Sequence, residues 1–412
     1  MSRYSSSANR YRGSRGPSGL LLLAALALAA LAGWSWLRPA LTEEGREPPS
    51  ARQAAVSTPA EPEAPSEPGP EEVMPPAPGP IRGIYISGPM AGSAHMEELT
   101  RLIEDTELNA VVIDVKNDEG KLTYLPEAGT AAELGAGVRY ISDLPGLVAS
   151  LKEKGIYTIA RVVAFKDPVL AQARPELALR RTDGTPLTEG GGPAWVNPYE
   201  REVWDYLTEI ALDAARAGFD EVQFDYVRFP TVKNVDEIDF DPAAQGSTRE
   251  EAVTGFLTHA RSALHAQGVW VSADVFGTVI SSQLDAGLIG QSYTGMARAA
   301  DFICPMVYPS HYAAGAFGLD VPDREPYRTV LTALQQSQTV LSAVAEEERA
   351  GVRVWLQGFT ASWVPGHIRY GGEELRAQIQ AVYDAGCTDW IIWNAQNSYT
   401  ADGLLPAGAS PS

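Results

Sequence analysis

The chain has 412 residues, 45% of them hydrophobic, which is enough for a large core. Its formal charge of −20 disfavours nucleic acid, whose phosphates call for clustered Lys and Arg. Two cysteines, Cys304 and Cys387, make no disulfide framework, and Cys304 reads as a buried strand residue.

Residues 1–18 form a short basic tail carrying Arg3, Arg10, Arg12 and Arg15. An apolar run over 19–37 follows, about long enough as a helix to span a hydrocarbon core. The flanking arginines would keep the N-terminus in the cytoplasm, and Trp34 and Trp36 suit the far interface. These features favour an uncleaved anchor over a cleaved signal peptide, for which Leu31-Ala32-Gly33 offers a site. Either way the main domain is expected outside the cytoplasm, anchored in the cell membrane or secreted. Residues 38–80 are dominated by Pro, Glu, Ala and Ser without apolar periodicity, and read as a disordered spacer.

From residue 81 to about 400, short apolar runs alternate with amphipathic stretches, the pattern of repeated βα units. Strands are expected over 83–87, 110–115, 156–163, 221–226, 269–275, 301–308, 352–357 and 390–394. Helices are expected over 97–107, 144–154, 200–217 and 249–267, with a Pro/Gly-rich insertion at 164–199 and a flexible tail at 401–412. Eight parallel strands close into a (β/α)8 TIM barrel without a free edge. An open doubly wound sheet would carry a Gly-rich nucleotide turn after its first strand, and 87–92 lacks that fingerprint.

Active sites of such barrels lie at the C-terminal strand ends. Those ends carry Asp114, Asp225 and Asp274, and period-two alternation puts Gln223 with Asp225 on the inward face. An isolated Asp there could equally be tied up in a salt bridge, to Arg161 or Arg228 for example. Several converging carboxylates point instead to a site, since buried charge is costly unless paired or used. Aromatic residues interleave with them: Tyr85, Tyr226, Tyr308, Tyr312, Trp355, Trp393 and, in the insertion, Trp195. Aromatic faces beside carboxylates and amides suit a sugar ring. Gln357, Asn394 and His311, at the ends of later strands, complete the expected substrate contacts. No metal or other cofactor is expected: the five histidines lack zinc-ligand spacing, and no G-x-S-x-G elbow or phosphate loop is present.

The stretches Gln223-Phe224-Asp225-Tyr226-Val227-Arg228-Phe229-Pro230, Pro305-Met306-Val307-Tyr308-Pro309-Ser310-His311-Tyr312 and Trp393-Asn394-Ala395 resemble the DUF4015 glycosyl hydrolase domain of bacterial envelope proteins. The likeness spans essentially all of 81–400. It implies a glycoside hydrolase barrel, related to the α-amylase-like group, with a carboxylate nucleophile at the end of the fourth strand and an acid at the end of the fifth. Asp225 matches the first position, and Asp274 stands where that group usually has Glu.

The expected activity is hydrolysis of an envelope or extracellular oligo- or polysaccharide, with Asp225 attacking and Asp274 as acid and base. Neighbouring strands about 4.8 Å apart suit the roughly 5–5.5 Å carboxyl separation of retaining enzymes. Tyr85, Asp114, Arg161, Trp195, Gln223, Tyr226, Arg228, Tyr308, His311, Gln357, Trp393 and Asn394 are the expected substrate contacts. The alternative is a non-catalytic carbohydrate-binding scaffold.

Overall fold

A computed structural model describes residues 74–409, except 190, 191, 193, 233–237, 241 and 242. The expected basic tail, membrane span and most of the spacer lie outside the described residues. Among the described residues no helix is long and apolar enough to cross a membrane.

Eight parallel strands form a closed barrel. They are β1 (Arg82–Ile86), β2 (Ala110–Lys116), β3 (Tyr157–Val163), β4 (Glu221–Asp225), β5 (Trp270–Phe276), β6 (Phe302–Met306), β7 (Gly351–Gln357) and β8 (Asp389–Trp393). Each pairs with its sequence neighbours, and β8 returns to β1 through Gly83 opposite Ile391. The strands read as apolar runs because both faces are covered, one by helices and the other by the barrel interior. All eight sequence-expected strands are found, with ends that differ by one or two residues.

The main outer helices are α1 (His95–Asp105), α2 (Leu144–Glu153), α3 (Arg201–Arg216), α4 (Arg249–His265), α5 (Tyr293–Ala299), α6 (Pro326–Leu341) and α7 (Gly372–Asp384). Their starts follow from capping chemistry. Asp143 accepts from the Gly146 amide to open α2, and Thr248 with Glu251 forms a reciprocal capping box on α4. In α3, Val203, Leu207, Ile210, Ala211 and Ala214 recur at helical spacing and are all buried.

The insertion after β3 is structured. It carries a short helix, Pro168–Ala173, and its residues Arg180–Arg181 pair antiparallel with Ile238–Asp239 from the loop after β4. Residues 401–409, read from sequence as part of a flexible tail, are instead tied to the barrel. The buried Glu107 carboxylate accepts from the Leu405 amide and from Arg376, and the Ala407 amide donates to the Asp105 carbonyl. A buried acid needs such partners, and the tail supplies one of them.

Candidate active site

Alternation along the strands stacks inward side chains in layers. At the N-terminal end, Glu221 of β4 meets Arg353 of β7 at 2.6 Å, both fully buried. Ser272 and Tyr157 donate to the same carboxylate. Above them, Gln223 donates to the Cys304 sulfur at 3.3 Å, and its carbonyl oxygen has no partner. Cys304 is fully buried in β6, as the sequence suggested.

The layer at the C-terminal end holds Asp114, Arg161, Asp225 and Asp274. Arg161 of β3 reaches in two directions. Its Nη1 donates to Asp114 Oδ1 at 2.6 Å, while Nε and Nη2 both donate to Asp225 Oδ2 at 3.0 and 2.5 Å. The Tyr85 hydroxyl donates to the other oxygen of Asp114 at 2.5 Å. Asp225 Oδ1 accepts from the Tyr226 amide at 2.6 Å. The guanidinium also lies over the Tyr85 and Trp393 rings, 5.7 and 5.6 Å from their centroids.

Asp274 is 1% exposed, and Trp355 Nε1 donates to its Oδ1 at 2.6 Å. Burial, and then the nearby charge of Asp225, push its pKa well above the ordinary carboxylate range. Oδ2 is thus the natural seat of a proton. The Arg161 pKa is raised as well: burial alone would lower it, but the charges of Asp114 and Asp225 outweigh that and hold it protonated. The result is an Arg161-bound carboxylate on β4 beside a buried Asp274 on β5 whose proton is held more tightly than usual.

Tyr226 follows Asp225 with φ of 49°, a left-handed conformation unusual for a bulky residue. Lys166 Nζ, 4.5 Å from the Tyr226 ring centroid, supports it. Such strain persists only where surrounding structure over-determines it, and it clusters at functional sites. The loops after β5 and β6 also approach closely. A side chain on Gly277 would lie 2.3 Å from the Tyr312 hydroxyl, so glycine is required there.

The sequence-expected residues divide into groups. Tyr85, Asp114, Arg161, Asp225, Asp274, Tyr308 and Trp393 converge at the mouth, Tyr85 and Trp393 with ring centroids 4.1 Å apart. Tyr308 packs with Trp355 in the interior cluster. Arg228 is 4% exposed, stacked on Trp195, Tyr226 and Phe276 and facing Glu189 at 3.4 Å. His311 is exposed on the rim, its ring against Tyr308 and Phe359.

Four others have turned away from solvent. Trp195 and Gln223 are fully buried. Gln357 holds loops, accepting from the Ser310 amide and donating to Asp323 and the Phe359 carbonyl. Asn394 likewise donates to the Gly358 and Ser398 carbonyls. The amides of Gln357 and Asn394 are thus satisfied within the protein, whereas the Gln223 carbonyl oxygen and the Trp195 indole nitrogen are buried without a hydrogen-bond partner. Trp355 was named from sequence among the aromatics of the mouth but not among the substrate contacts, and Glu189 was not named. The inward parity of Trp355 with Arg353 on β7 was its available signal; Glu189 had none, because its approach to Arg228 depends on how the insertion folds. Among the described residues no cluster of acidic, Cys or His side chains is placed to hold a metal.

A parallel eight-stranded barrel with carboxylates and aromatic rings gathered at its C-terminal mouth has the architecture of a barrel enzyme acting on a polar ring substrate. The family model described as "Putative glycosyl hydrolase domain" (DUF4015) matches residues 83–399, and the chain belongs to that family. No curated protein matches the chain. Among solved structures, the PgaB (BpsB) glycoside hydrolase domain from Bordetella bronchiseptica is 17% identical with a TM-score of 0.58, over 76% of this chain and 94% of that one. A hypothetical protein from Ruminiclostridium thermocellum is 35% identical, with a TM-score of 0.43 over 47% of this chain and 97% of that one. The α-galactosidase TtGalA from Thermus thermophilus is 14% identical, with a TM-score of 0.46 over 78% of this chain and 59% of that one. The PgaB likeness is one of fold, and these neighbours do not single out the α-amylase-like group.

Proposed function

We propose that the domain hydrolyses glycosidic bonds in an envelope or extracellular polysaccharide through Asp225 and Asp274. The observation that carries this reading is the pairing of a proton-retaining Asp274 with an Arg161-bound Asp225 on adjacent strands. Asp274 gives its proton to the glycosidic oxygen as the bond to the anomeric carbon breaks. Asp225 attacks that carbon, or stabilises its developing positive charge. Asp274, now ionised, takes a proton from water, whose oxygen bonds to the anomeric carbon and displaces the Asp225 carboxylate where it has bonded there. Retention of configuration is the expected stereochemistry for carboxylates on neighbouring strands, and proton NMR of the first-formed sugar tests it.

Purified residues 81–412 are to be screened on a polysaccharide panel for release of reducing ends. Asp225→Asn should lower turnover by at least about 10³-fold with the fold intact by circular dichroism. Undiminished activity would remove Asp225 from the reaction. A second reading is a carbohydrate-binding scaffold, favoured by the completeness of the bonds around Asp225, whose two oxygens accept from Arg161 and the Tyr226 amide. Binding without any reducing-end release, unchanged in Asp225→Asn, would support it.

We further propose that residues 19–37 anchor the domain at the cell membrane and that 38–80 hold it outside the cytoplasm. The apolar composition of the first segment and the polar, Pro-rich composition of the second support this. Membrane fractions should retain the full chain and lose it when 1–37 are removed.

A further inference from the structure

We propose that the loop after β7 is a stacking platform for a sugar unit remote from the cleavage point, so that the domain binds its glycan as an extended chain. This rests on the reading that the site takes a carbohydrate.

Trp363 is 48% exposed, an unusual position for so large an apolar surface. A lone exposed aromatic would need no explanation. This one is the outer end of a continuous line. Its ring stacks on Phe359 with centroids 5.9 Å apart and planes 21° from parallel. Phe359 in turn meets Tyr308 at 6.0 Å and His311 at 6.3 Å. Tyr308 packs in the barrel interior with Trp355, whose ring lies 5.8 Å from Trp393, and Trp393 stacks on Tyr85. Packed aromatic rings, several of them meeting edge to face, therefore lead from above Arg161 to the rim, where Trp363 is the exposed one.

The platform is held in place. Asp323, 1% exposed, accepts from Gln357 Nε2 at 3.0 Å and from the Ile368 amide at 3.2 Å. Tyr370 donates from its hydroxyl to the Asp323 carbonyl and from its amide to Thr360 Oγ1. Gln357 at the end of β7 thus holds the near end of the loop carrying Trp363 at the Phe359 carbonyl, and Asp323, which Gln357 also bonds, holds the far end. A fixed, solvent-facing indole loses little conformational entropy on binding, which suits the C–H face of a sugar ring. His311, its Nδ1 engaged by Ser310 Oγ at 3.0 Å, leaves Nε2 for a hydroxyl of the same chain. Stacking reads the C–H face of a sugar ring whatever the charge of the chain, and the exposed Arg369 of the same loop also suits an acidic sugar.

The test uses Asp225→Asn protein, which removes turnover, with and without Trp363→Ala, in affinity gels containing soluble starch, galactomannan, carboxymethyl cellulose or glycol chitin. At least one of these polymers should retard Asp225→Asn, and Trp363→Ala should weaken that retardation about tenfold. Trp363→Phe should restore most of it. In protein with Asp225 intact, Trp363→Ala should raise KM for the polymer and leave short oligosaccharides unaffected. Equal retardation with and without Trp363, or no retardation by any of the polymers, overturns the platform. Failure to release reducing ends despite Trp363-dependent binding overturns hydrolysis and leaves the platform standing.

Discussion

The two ends of the barrel interior each bury charge, but in different proportions. At the N-terminal end the buried carboxylate of Glu221 faces the buried guanidinium of Arg353, which also has the part-exposed Asp389 at 3.7 Å, and Ser272 and Tyr157 complete the hydrogen bonds of Glu221. At the C-terminal end three carboxylates, Asp114, Asp225 and Asp274, surround Arg161 alone. The balanced end is sealed and serves stability. At the mouth, one guanidinium cannot neutralise three acids, and burial raises the pKa of both Asp274 and Asp114 so that protons offset part of the excess. The same physics, buried charge seeking compensation, yields a structural pair at one end and a proton donor at the other.

Substitutions can break this contrast. Glu221→Gln should produce the largest loss of stability, about 3–5 kcal/mol, because it leaves the Arg353 charge buried without its partner. Chemical denaturation would measure it, and activity per folded molecule should be unchanged; little loss of stability would erase the distinction between the ends. Asp274→Asn should reduce hydrolysis of unactivated glycosides by about 10²–10⁴-fold. The first step on dinitrophenyl glycosides, whose leaving group needs no proton, should be spared in burst kinetics. Equal losses on both substrates would deny Asp274 the acid role.

The smallest effect concerns pH. A carboxyl pKa raised in the folded state means that the folded protein binds that proton more tightly than the unfolded chain. The stability linked to it is complete below the ordinary carboxylate pKa of about 3.9 and is lost as pH rises toward and through the raised value. Asp274→Asn abolishes this loss. Relative to the unsubstituted protein, its Tm should therefore improve by a few degrees between acidic and alkaline pH. A constant difference across that range would mean that Asp274 titrates normally.

Much of the fold was legible because each strand is a short apolar run that needs no partner to be recognised. The ends were blurred: Tyr226 extends the β4 pattern but turns into the left-handed region, and β6 stops at Met306 because the chain then enters the turn at Pro309–His311. At the site, strand position and parity alone placed Asp114, Asp225 and Asp274 at the mouth. Parity could not show that Arg161 would join two of them, since Arg161 and Asp225 lie 64 residues apart in the chain.

By itself, then, the sequence determined the repeating βα pattern, the closed barrel it implies, and the end at which the acids gather. These follow from local periodicity and from the geometry of parallel strands. Only the tertiary structure decided which acid is paired and which keeps its proton, why Gln357 serves a loop, and how Trp363 joins the line of rings. Those outcomes depend on distances between residues far apart in the chain, and on how much water each group has lost, neither of which is written in local pattern.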